Sequence, residues 1–347
     1  MKRLLVVVIF AQCAASAWAQ TPSMTAHFIN IGQGESVLLE FSCGAMLIDA
    51  GAQDAAARTA LIAYLNKFFA RRTDLHKTIN TVLITHDHID HDFGLRSAVE
   101  HYVDNGFITG AGAPNPTWLR SEVSSGHRHL DIEEIPESEV EGVVDKSGFT
   151  DAAIDSINCQ PVDPQIHVLQ GHMLTNPGWS ADAFSNLNNH SLVTRVDFNG
   201  ASLLFMGDLE EDGIALLLNY YTGTARQILD ADVLQVGHHG SNNATTQALL
   251  DAITPSVAVI NVGKWNYGQP NKVFTTFLYG HPRQSALDLL SASITRKRAA
   301  PKSVMAAESS KHFHSTTVTK AIYATGWDGT VRVVVKAKDD ITVYREH

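Results

Sequence analysis

The chain has 347 residues, of which 44% are hydrophobic and 18% are charged, and its formal net charge is −10. These values are typical of a soluble globular protein with a sizeable core, and no internal repeat or low-complexity tract interrupts the sequence. The acidic balance argues against a protein dedicated to binding long nucleic acid, because such proteins usually carry a basic stripe.

The N-terminus has the pattern of a signal peptide. Lys2 and Arg3 precede an apolar run from Leu4 to Ala11, and small residues lead to Ala17-Trp18-Ala19. We predict cleavage before Gln20, so that residues 1–19 are the signal peptide. The apolar run is too short to span a membrane comfortably, and the expected product is periplasmic or secreted, with no membrane contact after cleavage.

Beyond this leader, strand-like and helix-like segments alternate. The pattern favours mixed α/β layers over an all-β sandwich. It predicts strands at about 25–31, 35–41, 45–49 and 79–85, and helices at 53–70 and 94–103.

The last of these strands leads into a dense polar cluster. Three histidines and three aspartates fall within the seven residues from His86 to Asp92, and four of the six spell H-x-H-x-D-H. A solvated loop or a set of core histidines would need no such fixed spacing. His86 and His88 can face one metal ion, whereas Asp90 and His91 follow on a bend and can face a second. Imidazole and carboxylate ligands suit zinc first, with manganese or iron next.

The stretch from 105 to 180 is rich in Gly, Pro, Ser and acidic residues and is too long for a plain loop. We expect an insert here, which either folds over the groove and shapes substrate entry or is a surface insertion unrelated to function. A second insertion is predicted at 269–280. His281 follows it and either contacts substrate or caps the next helix, and we favour the cap.

Further residues of metal-binding type flank other strand-like runs. His190 precedes one predicted strand, and Asp208 follows the next, where Gly207 lets the backbone turn sharply. Another apolar run ends at His238 and His239. Each residue alone is a weak signal, since such residues are usually caps or turn residues. Their order along the chain makes the pattern strong.

This order, which starts at Asp49 and continues through the H-x-H-x-D-H cluster, resembles the metallo-β-lactamase superfamily. Within it, the chain is similar to the hydrolase domain of ComEC-type DNA-uptake proteins from about residue 26 to 343. The resemblance implies one hydrolase domain over 20–347, a four-layer αββα sandwich, and two metal ions in a groove at one edge. The segments that carry it are "HFINIGQGESVLLEF", "MLIDAG", "NNHSLVTRVDFNGASLLFMGDLE", "ADVLQVGHHGS", "YGHPRQSALDLL" and a closing hairpin, "IYATGWDGTVRVVV".

The resemblance gives each candidate ligand a role. Asp90 and Asp208 are the expected catalytic carboxylates, and the expected cofactor is two Zn²⁺ per chain, with Mn²⁺ or Fe as alternatives. A hydroxide held between the two ions would attack a phosphoryl or carbonyl group. The implied ligands are His86, His88 and His190 at metal one, Asp90, His91 and one of His238 and His239 at metal two, and Asp208 bridging both.

Other polar residues near the motifs have supporting roles. Asp49 is expected to orient a ligand histidine rather than to bind metal. Ser241 and the backbone after His239 can donate to substrate oxygens. Asp87 and Asp92, which point away between the ligands, favour a structural role.

Two cysteines remain in the mature chain, Cys43 and Cys159. In an oxidising compartment they can form a disulfide, and the alternative is two free, partly buried thiols. Neither is placed like a metal ligand or a nucleophile.

Three functions fit these observations. The favoured one is a metal-dependent phosphodiesterase or nuclease that acts on a small-molecule or short phosphodiester, with long nucleic acid left open as a partner. The second is a hydrolase of a carbon ester, lactone or β-lactam, because a fold does not fix its chemistry. The third is a non-catalytic metal-binding protein, which is disfavoured because every expected ligand position is filled.

Overall fold

Two mixed β-sheets form the centre of the structure, a computed structural model that describes residues 22–95, 117–120, 132–268 and 275–346. The predicted signal peptide, most of the helix predicted at 94–103 and the segment 269–274 lie outside these residues. No helix in the described ranges is long and apolar enough to cross a membrane.

The strands account for both sheets and one separate hairpin. In chain order they are β1 Met24–Phe28, β2 Val37–Glu40, β3 Ala45–Ile48, β4 Thr81–Ile84, β5 Thr117–Arg120, β6 Ile132–Glu134, β7 Gln165–Gln170, β8 Val193–Phe198, β9 Ala201–Phe205, β10 Val233–Gln235, β11 Val257–Ile260, β12 Lys297–Ser309, β13 His312–Lys320, β14 Ile322–Ala324, β15 Thr330–Ala337 and β16 Asp340–Glu346.

The first sheet has the order β16-β15-β1-β2-β3-β4-β5-β6, and the second has the order β14-β11-β10-β9-β8-β7. Strands β1 to β3 form the predicted antiparallel meander, and β3 to β6 run parallel. In the second sheet, β9, β10, β11 and β14 are parallel. The hairpin of β12 and β13 forms a two-stranded sheet of its own.

Helices follow the strands along the chain. They are α1 Ala55–Arg71, α2 Ile89–Gly94, α3 Glu137–Glu141, α4 Ala181–Ser185, α5 Glu211–Tyr220, α6 Gln247–Ile253, α7 Thr276–Tyr279, α8 Gln284–Ser293 and α9 Thr325–Asp328. Short 3-10 turns occur at Thr73–Leu75, Leu187–His190, Gly223–Leu229 and His238–Gly240. Helix α1 begins at the Asp54 cap, whose carboxylate accepts from the Ala57 N–H at 2.8 Å.

The buried side chains form two clusters that define the layers. The larger cluster joins the facing sides of the two sheets, for example Phe28 of β1 against Phe205 of β9, and it also contains apolar residues of α6 and α8. The smaller cluster packs Leu61 and Leu65 of α1 against Leu47 of β3. Helix, sheet, sheet and helix therefore follow one another, which is the expected four-layer αββα sandwich.

Two expectations about the chain's organisation need correction. In its described part, the stretch from 105 to 180 is not a simple insert, because it supplies β5 and β6 to the first sheet and β7 to the second. The segment that resembles a closing hairpin instead divides between the sheets, with β14 beside β11 and β15 beside β1.

The two remaining cysteines are paired. Cys43, between β2 and β3, forms a disulfide with Cys159, and their Cα atoms are 5.4 Å apart. The bond joins the turn between β2 and β3 of the first sheet to the segment that precedes β7 of the second sheet.

Candidate metal centre

The polar motifs meet because they follow strands that point the same way. Asp49 follows β3, the H-x-H-x-D-H cluster follows β4, Asp208 follows β9, and His238 and His239 follow β10. Strands β3 and β4 are parallel in one sheet, and β9 and β10 are parallel in the other. Their carboxyl ends therefore lie at one edge of the sandwich.

Close backbone packing holds the H-x-H-x-D-H loop in place. The Asp90 carbonyl accepts from the Glu35 N–H at 2.9 Å, and the His91 carbonyl accepts from the Ala50 N–H at 2.7 Å. A Cβ on Gly51 would lie 2.1 Å from the Asp90 carbonyl oxygen, so only glycine fits there. Gly207 has a φ of 53°, which confirms the sharp turn predicted before Asp208.

The Asp208 carboxylate lies at the middle of the cluster. Its Oδ2 is 3.2 Å from His91 Nε2 and 3.5 Å from His239 Nε2, and His239 Nε2 is also 3.3 Å from Asp90 Oδ2. Among the described residues, two sets of ligand atoms within 4.8 Å of one another can hold a metal ion at this position: His86, His91 and Asp208 form one, and Asp90, His91 and His239 form the other.

The unsatisfied atoms of the cluster fit a bound cation. His91 Nε2, His239 Nε2 and Asp208 Oδ1 are buried and have no hydrogen-bond partner within the described part of the chain. Buried polar atoms are rarely left unpaired in native proteins, because each unmade bond costs roughly 1–3 kcal/mol. Imidazole and carboxylate donors that converge in this way match the ligand preferences of zinc.

Two acceptors set the orientation of the central rings. His91 Nδ1 donates to Asp49 Oδ2 at 2.6 Å, and His239 Nδ1 donates to the Asn261 carbonyl at 2.7 Å. Asp49 is itself held by the N–H and hydroxyl of Thr85, at 2.7 and 2.8 Å. Both rings therefore present Nε2 to the cluster. Histidines that bind metals typically donate their other ring N–H to a carboxylate or a backbone carbonyl in this way.

His86 and His88 lie next to each other at one side of the centre. His86 is buried, and its Nε2 lies 3.0 Å from Nδ1 of His88. Its Nδ1 lies 3.1 Å from the hydroxyl of Thr85 and 3.3 Å from that of Ser191. His88 lines the neighbouring pocket and belongs to neither of the two sets of ligand atoms.

The structure distinguishes His239 from His238, the two adjacent histidines that the sequence offers as alternative metal ligands. Both have positive φ angles, 45° for His238 and 54° for His239, but their rings meet different groups. His239 is the one whose Nε2 meets Asp90 and Asp208. His238 Nδ1 lies 2.9 Å from Glu210 Oε1, and its Nε2 is 3.8 Å from Asp208 Oδ2.

The structure does not bring His190 to the cluster. Its Nε2 donates to the Phe184 carbonyl at 2.7 Å, and its ring packs against His172, Trp179 and Phe184. The 3-10 turn at Leu187–His190 turns the side chain back towards α4 instead of into the groove. The position of His190 therefore does not support the expectation that it is the third ligand of metal one.

The expected donors after His239 are also placed differently. The Ser241 hydroxyl donates to Asn243 Oδ1, and the N–H groups of Gly240 and Ser241 donate to carbonyls of the same turn. Ser241 is therefore not positioned as a substrate donor.

The two aspartates expected to be structural occupy different places. Asp92 is buried within α2, in line with that expectation. Asp87 lines the pocket beside the metal-ligand cluster, so it faces the groove.

A buried acid that the motifs did not identify lies beneath the centre. Glu35 is fully buried, and its Oε2 accepts from Gln235 Nε2 at 2.8 Å. With Asp49 and His91 it forms a third set of possible ligand atoms within 4.8 Å of one another. Burial, together with the nearby Asp49 carboxylate, raises the pKa of Glu35 well above its usual value. The signal was present in the sequence as the acid of "IGQGES".

The ionisable groups of the centre shift one another's pKa values. Burial alone would lower the pKa of His91, but Asp208 and Asp49 outweigh it and raise that pKa well above its usual value. Burial opposes ionisation of Asp208, yet His239, His91 and His238 bring its pKa well below the usual range. The Asp208 carboxylate is therefore ionised and surrounded by imidazoles, which is the state a metal ligand needs.

A pocket of about 360 Å³ opens beside the ligand cluster. Gln33, His238, Tyr279 and His281 line it together with Asp90, Asp208 and His239. Its lining includes no residue from 132–180, so the described part of that stretch does not shape this entrance.

Comparisons with known proteins bear on the family of this chain. The profile of the metallo-beta-lactamase superfamily matches residues 29–263. The ComE operon protein 3 of Bacillus subtilis is 35% identical over 126 residues, which cover 36% of this chain and 14% of that protein. The competence protein ComA of Neisseria gonorrhoeae is 28% identical over 261 residues, which cover 72% of this chain and 29% of that protein.

This chain therefore spans less than a third of the length of these curated relatives. Among solved structures, the metallo-beta-lactamase fold protein YhfI from Bacillus subtilis is similar, with 11% identity and a TM-score of 0.32 over 62% of this chain and 70% of that chain.

Proposed function

The chain belongs to the metallo-beta-lactamase superfamily, and we propose that it is a metal-dependent hydrolase, namely an exported phosphodiesterase that uses two metal ions. The observation that carries the proposal is the position of Asp208, whose carboxylate contacts His91 and His239 and faces both sets of ligand atoms. A carboxylate in that position is suited to bridging two ions.

The proposed ligands follow from these contacts. His86, with the half-buried His88 beside it, would hold one ion, and Asp90, His91 and His239 would hold the other, with Asp208 as a ligand that both could share. His190 is left out of this set because its Nε2 is engaged with Phe184. Zinc is the proposed metal, since imidazole predominates among the donors, and manganese or iron are the alternatives.

Two divalent ions supply a water of lowered pKa and neutralise the charge of a phosphate when bound. The chain's own residues prepare the site for them. Asp49 and the Asn261 carbonyl hold the rings of His91 and His239, so that Nε2 of each ring faces the cluster. Glu210, which accepts from the side-chain amides of Asn186 and Asn188, holds His238 at the edge of the pocket.

A phosphodiester is favoured by the resemblance to ComEC-type DNA-uptake proteins and by the similarity to the competence protein ComA, because DNA is a phosphodiester polymer. The substrate is a small or short phosphodiester, because a net charge of −10 opposes binding of a long polyanion. The same ligand set could hydrolyse a carbon ester, lactone or β-lactam, and this is the second candidate.

A substrate screen tests the proposal. The purified mature protein, supplied with zinc or manganese, is assayed with bis(p-nitrophenyl) phosphate, a chromogenic β-lactam and a lactone. We expect metal-dependent turnover of the phosphodiester, about two ions per chain by elemental analysis, and loss of both in Asp208→Asn. Turnover of only the β-lactam or the lactone would replace phosphodiesters with the second candidate.

Export is the second part of the proposal. It is supported by the Lys2-to-Ala19 leader pattern and by the Cys43–Cys159 disulfide, because such bonds persist mainly in oxidising compartments. We expect mass spectrometry of the protein from a secreting host to give a chain that begins at Gln20. A chain that keeps residues 1–19, or carries lipid on Cys13, would contradict it.

A further inference from the structure

Three buried polar side chains line the pocket but belong to neither set of metal-ligand atoms. Asn188 donates its amide to Glu210, whereas Gln33 and His281 each keep a nitrogen without a partner among the described residues. Gln33 is 1% exposed and His281 is 5% exposed. They come from distant parts of the chain, Gln33 from the glycine-rich turn after β1 and His281 from the turn between α7 and α8. Burial of polar groups at a pocket wall is costly unless they gain a partner.

Gln33 is fixed by its surroundings with its amide nitrogen left over. Its Oε1 accepts from the Thr276 hydroxyl at 3.0 Å, and its main-chain carbonyl accepts from Gln53 Nε2 at 2.7 Å. Its Nε2 is buried and has no hydrogen-bond partner among the described residues. The side chain is therefore held in one orientation while a donor stays unused.

His281 is in a similar position. Its ring stacks on Tyr279 with centroids 5.9 Å apart, and it meets the ring of His238 edge-on at 5.1 Å. Its Nδ1 is buried and also lacks a hydrogen-bond partner within the described ranges. The sequence favoured a helix cap for His281, yet α8 begins without a side-chain cap and His281 lies in the pocket wall instead.

The other described residues of the pocket wall provide no permanently cationic side chain that could bind a phosphate. No Lys or Arg is among the described residues that line the pocket. If a phosphodiester binds with one oxygen at the metal ions, its other anionic oxygen or its leaving oxygen needs hydrogen-bond donors from elsewhere in the pocket. Neutral N–H groups supply such donors without the strong hydration of an ammonium group.

We propose that Gln33 and His281 form an oxyanion subsite, in which Gln33 Nε2 and His281 Nδ1 donate to a substrate phosphoryl oxygen that the metal ions do not hold. This inference rests on the proposed function, because it assigns the rest of the substrate-binding surface of the same site. It predicts that both residues act on substrate and neither on metal content.

The first test compares variants of the metal-loaded mature protein in steady-state assays with bis(p-nitrophenyl) phosphate. We expect Gln33→Ala and His281→Ala each to lower kcat/KM by about 100- to 1,000-fold while metal content is unchanged. Gln33→Glu should lower it further than Gln33→Ala, since a carboxylate would repel the phosphate. Gln227→Glu and His312→Ala, which change exposed residues outside the pocket, are the matched controls and should behave like wild type.

The second test does not need turnover. Inorganic phosphate is titrated into the metal-loaded protein by calorimetry, and we expect binding that weakens in the order wild type, Gln33→Ala, Gln33→Glu. Equal phosphate affinity in all variants, or no phosphate binding by wild type, would overturn the subsite. Loss of an ion in His281→Ala would instead make His281 a metal ligand. If phosphate binds as expected but no phosphodiester is cleaved, the proposed function fails while the subsite stands.

Discussion

At the scale of single residues, the metal centre depends on groups that never touch the metal. Asp49 Oδ2 accepts from His91 Nδ1 at 2.6 Å, and both atoms are fully buried. The acceptor fixes which ring nitrogen faces Asp208 and makes that nitrogen a stronger ligand. A change at Asp49 should therefore act through the position and basicity of His91.

We expect Asp49→Asn to weaken metal binding by about 10- to 100-fold, because a neutral amide oxygen holds the imidazole N–H less strongly than a carboxylate does. Competition with a chromogenic chelator measures the affinity. Asp74→Asn, which alters an exposed aspartate paired with Arg72, is the matched control. Equal metal affinity in Asp49→Asn and wild type would show that Asp49 has no part in ligand orientation.

His190 gives a prediction of the opposite kind. Because its Nε2 donates to the Phe184 carbonyl and its ring packs with Trp179 and His172, His190→Ala should keep wild-type metal content. It should lose about 1–3 kcal/mol of stability through the lost packing and hydrogen bond. Elemental analysis and thermal unfolding measure the two effects, with His239→Ala as the variant that should lose metal. Loss of an ion in His190→Ala would restore the ligand role expected from the sequence.

These residues show what spacing can and cannot predict. The H-x-H-x-D-H motif, Asp208 and Asp49 were identified because each follows an apolar strand, and parallel strands end at one edge. His190 also flanks a strand, but a single 3-10 turn decides where its ring points. Glu35 was missed because its partner, Gln235, lies 200 residues away in sequence, and no local pattern encodes that contact.

At the scale of elements, α3 is tied to the end of β7 by a buried acid. Glu137 is 8% exposed, and its Oε2 accepts from the Gly171 N–H at 2.6 Å. Burial raises the pKa of Glu137 to about 8, more than that hydrogen bond lowers it. As pH rises, the unfolded chain, with an ordinary glutamate pKa near 4.3, therefore releases this proton at a lower pH than the folded protein does.

This difference predicts how stability depends on pH. The contribution of Glu137 is fully present below about pH 4 and is lost as pH rises towards 8, so the folded state weakens across that range. Glu137→Gln, whose amide oxygen can still accept from Gly171, should remove this loss. Its Tm should exceed that of wild type by a few degrees more at pH 8 than at pH 5. Thermal unfolding at both pH values tests it, with Glu211→Gln, which changes an exposed glutamate of α5, as control. An equal effect at both pH values would contradict the raised pKa.

Element boundaries show where sequence patterns are reliable. The meander of β1 to β3, helix α1 and strand β4 were predicted within a few residues, because their periodicities are strong and local. The stretch from 105 to 180 is rich in Gly, Pro and acidic residues, and this composition predicts an insert. Strand β7 forms there nonetheless, since antiparallel pairing with β8 and burial of Ile166 and Val168 outweigh the weak local preference.

At the scale of the whole molecule, the sandwich brings distant segments to one edge, and the disulfide joins its two sheets. Cys43 and Cys159 are 116 residues apart in sequence. Both the bonded pair and two free thiols were compatible with the sequence, because the distance between a tight strand connection and an irregular segment cannot be read from spacing. Only the packing of the two sheets brings the cysteines together.

A bond between residues so far apart restricts the unfolded chain strongly. In the chain-entropy account, closing a loop of this length stabilises the folded state by about 5 kcal/mol. The Cys43→Ser/Cys159→Ser variant should therefore unfold at a lower temperature than wild type, while its metal content is unchanged, since neither cysteine belongs to the metal centre. Thermal unfolding with and without dithiothreitol supplies the control: reductant should lower the Tm of wild type towards that of the variant and leave the variant unaffected. A wild-type Tm that does not respond to reductant, together with two titratable thiols in the unfolded protein, would mean that the cysteines are unpaired, and it would also remove the disulfide as support for export.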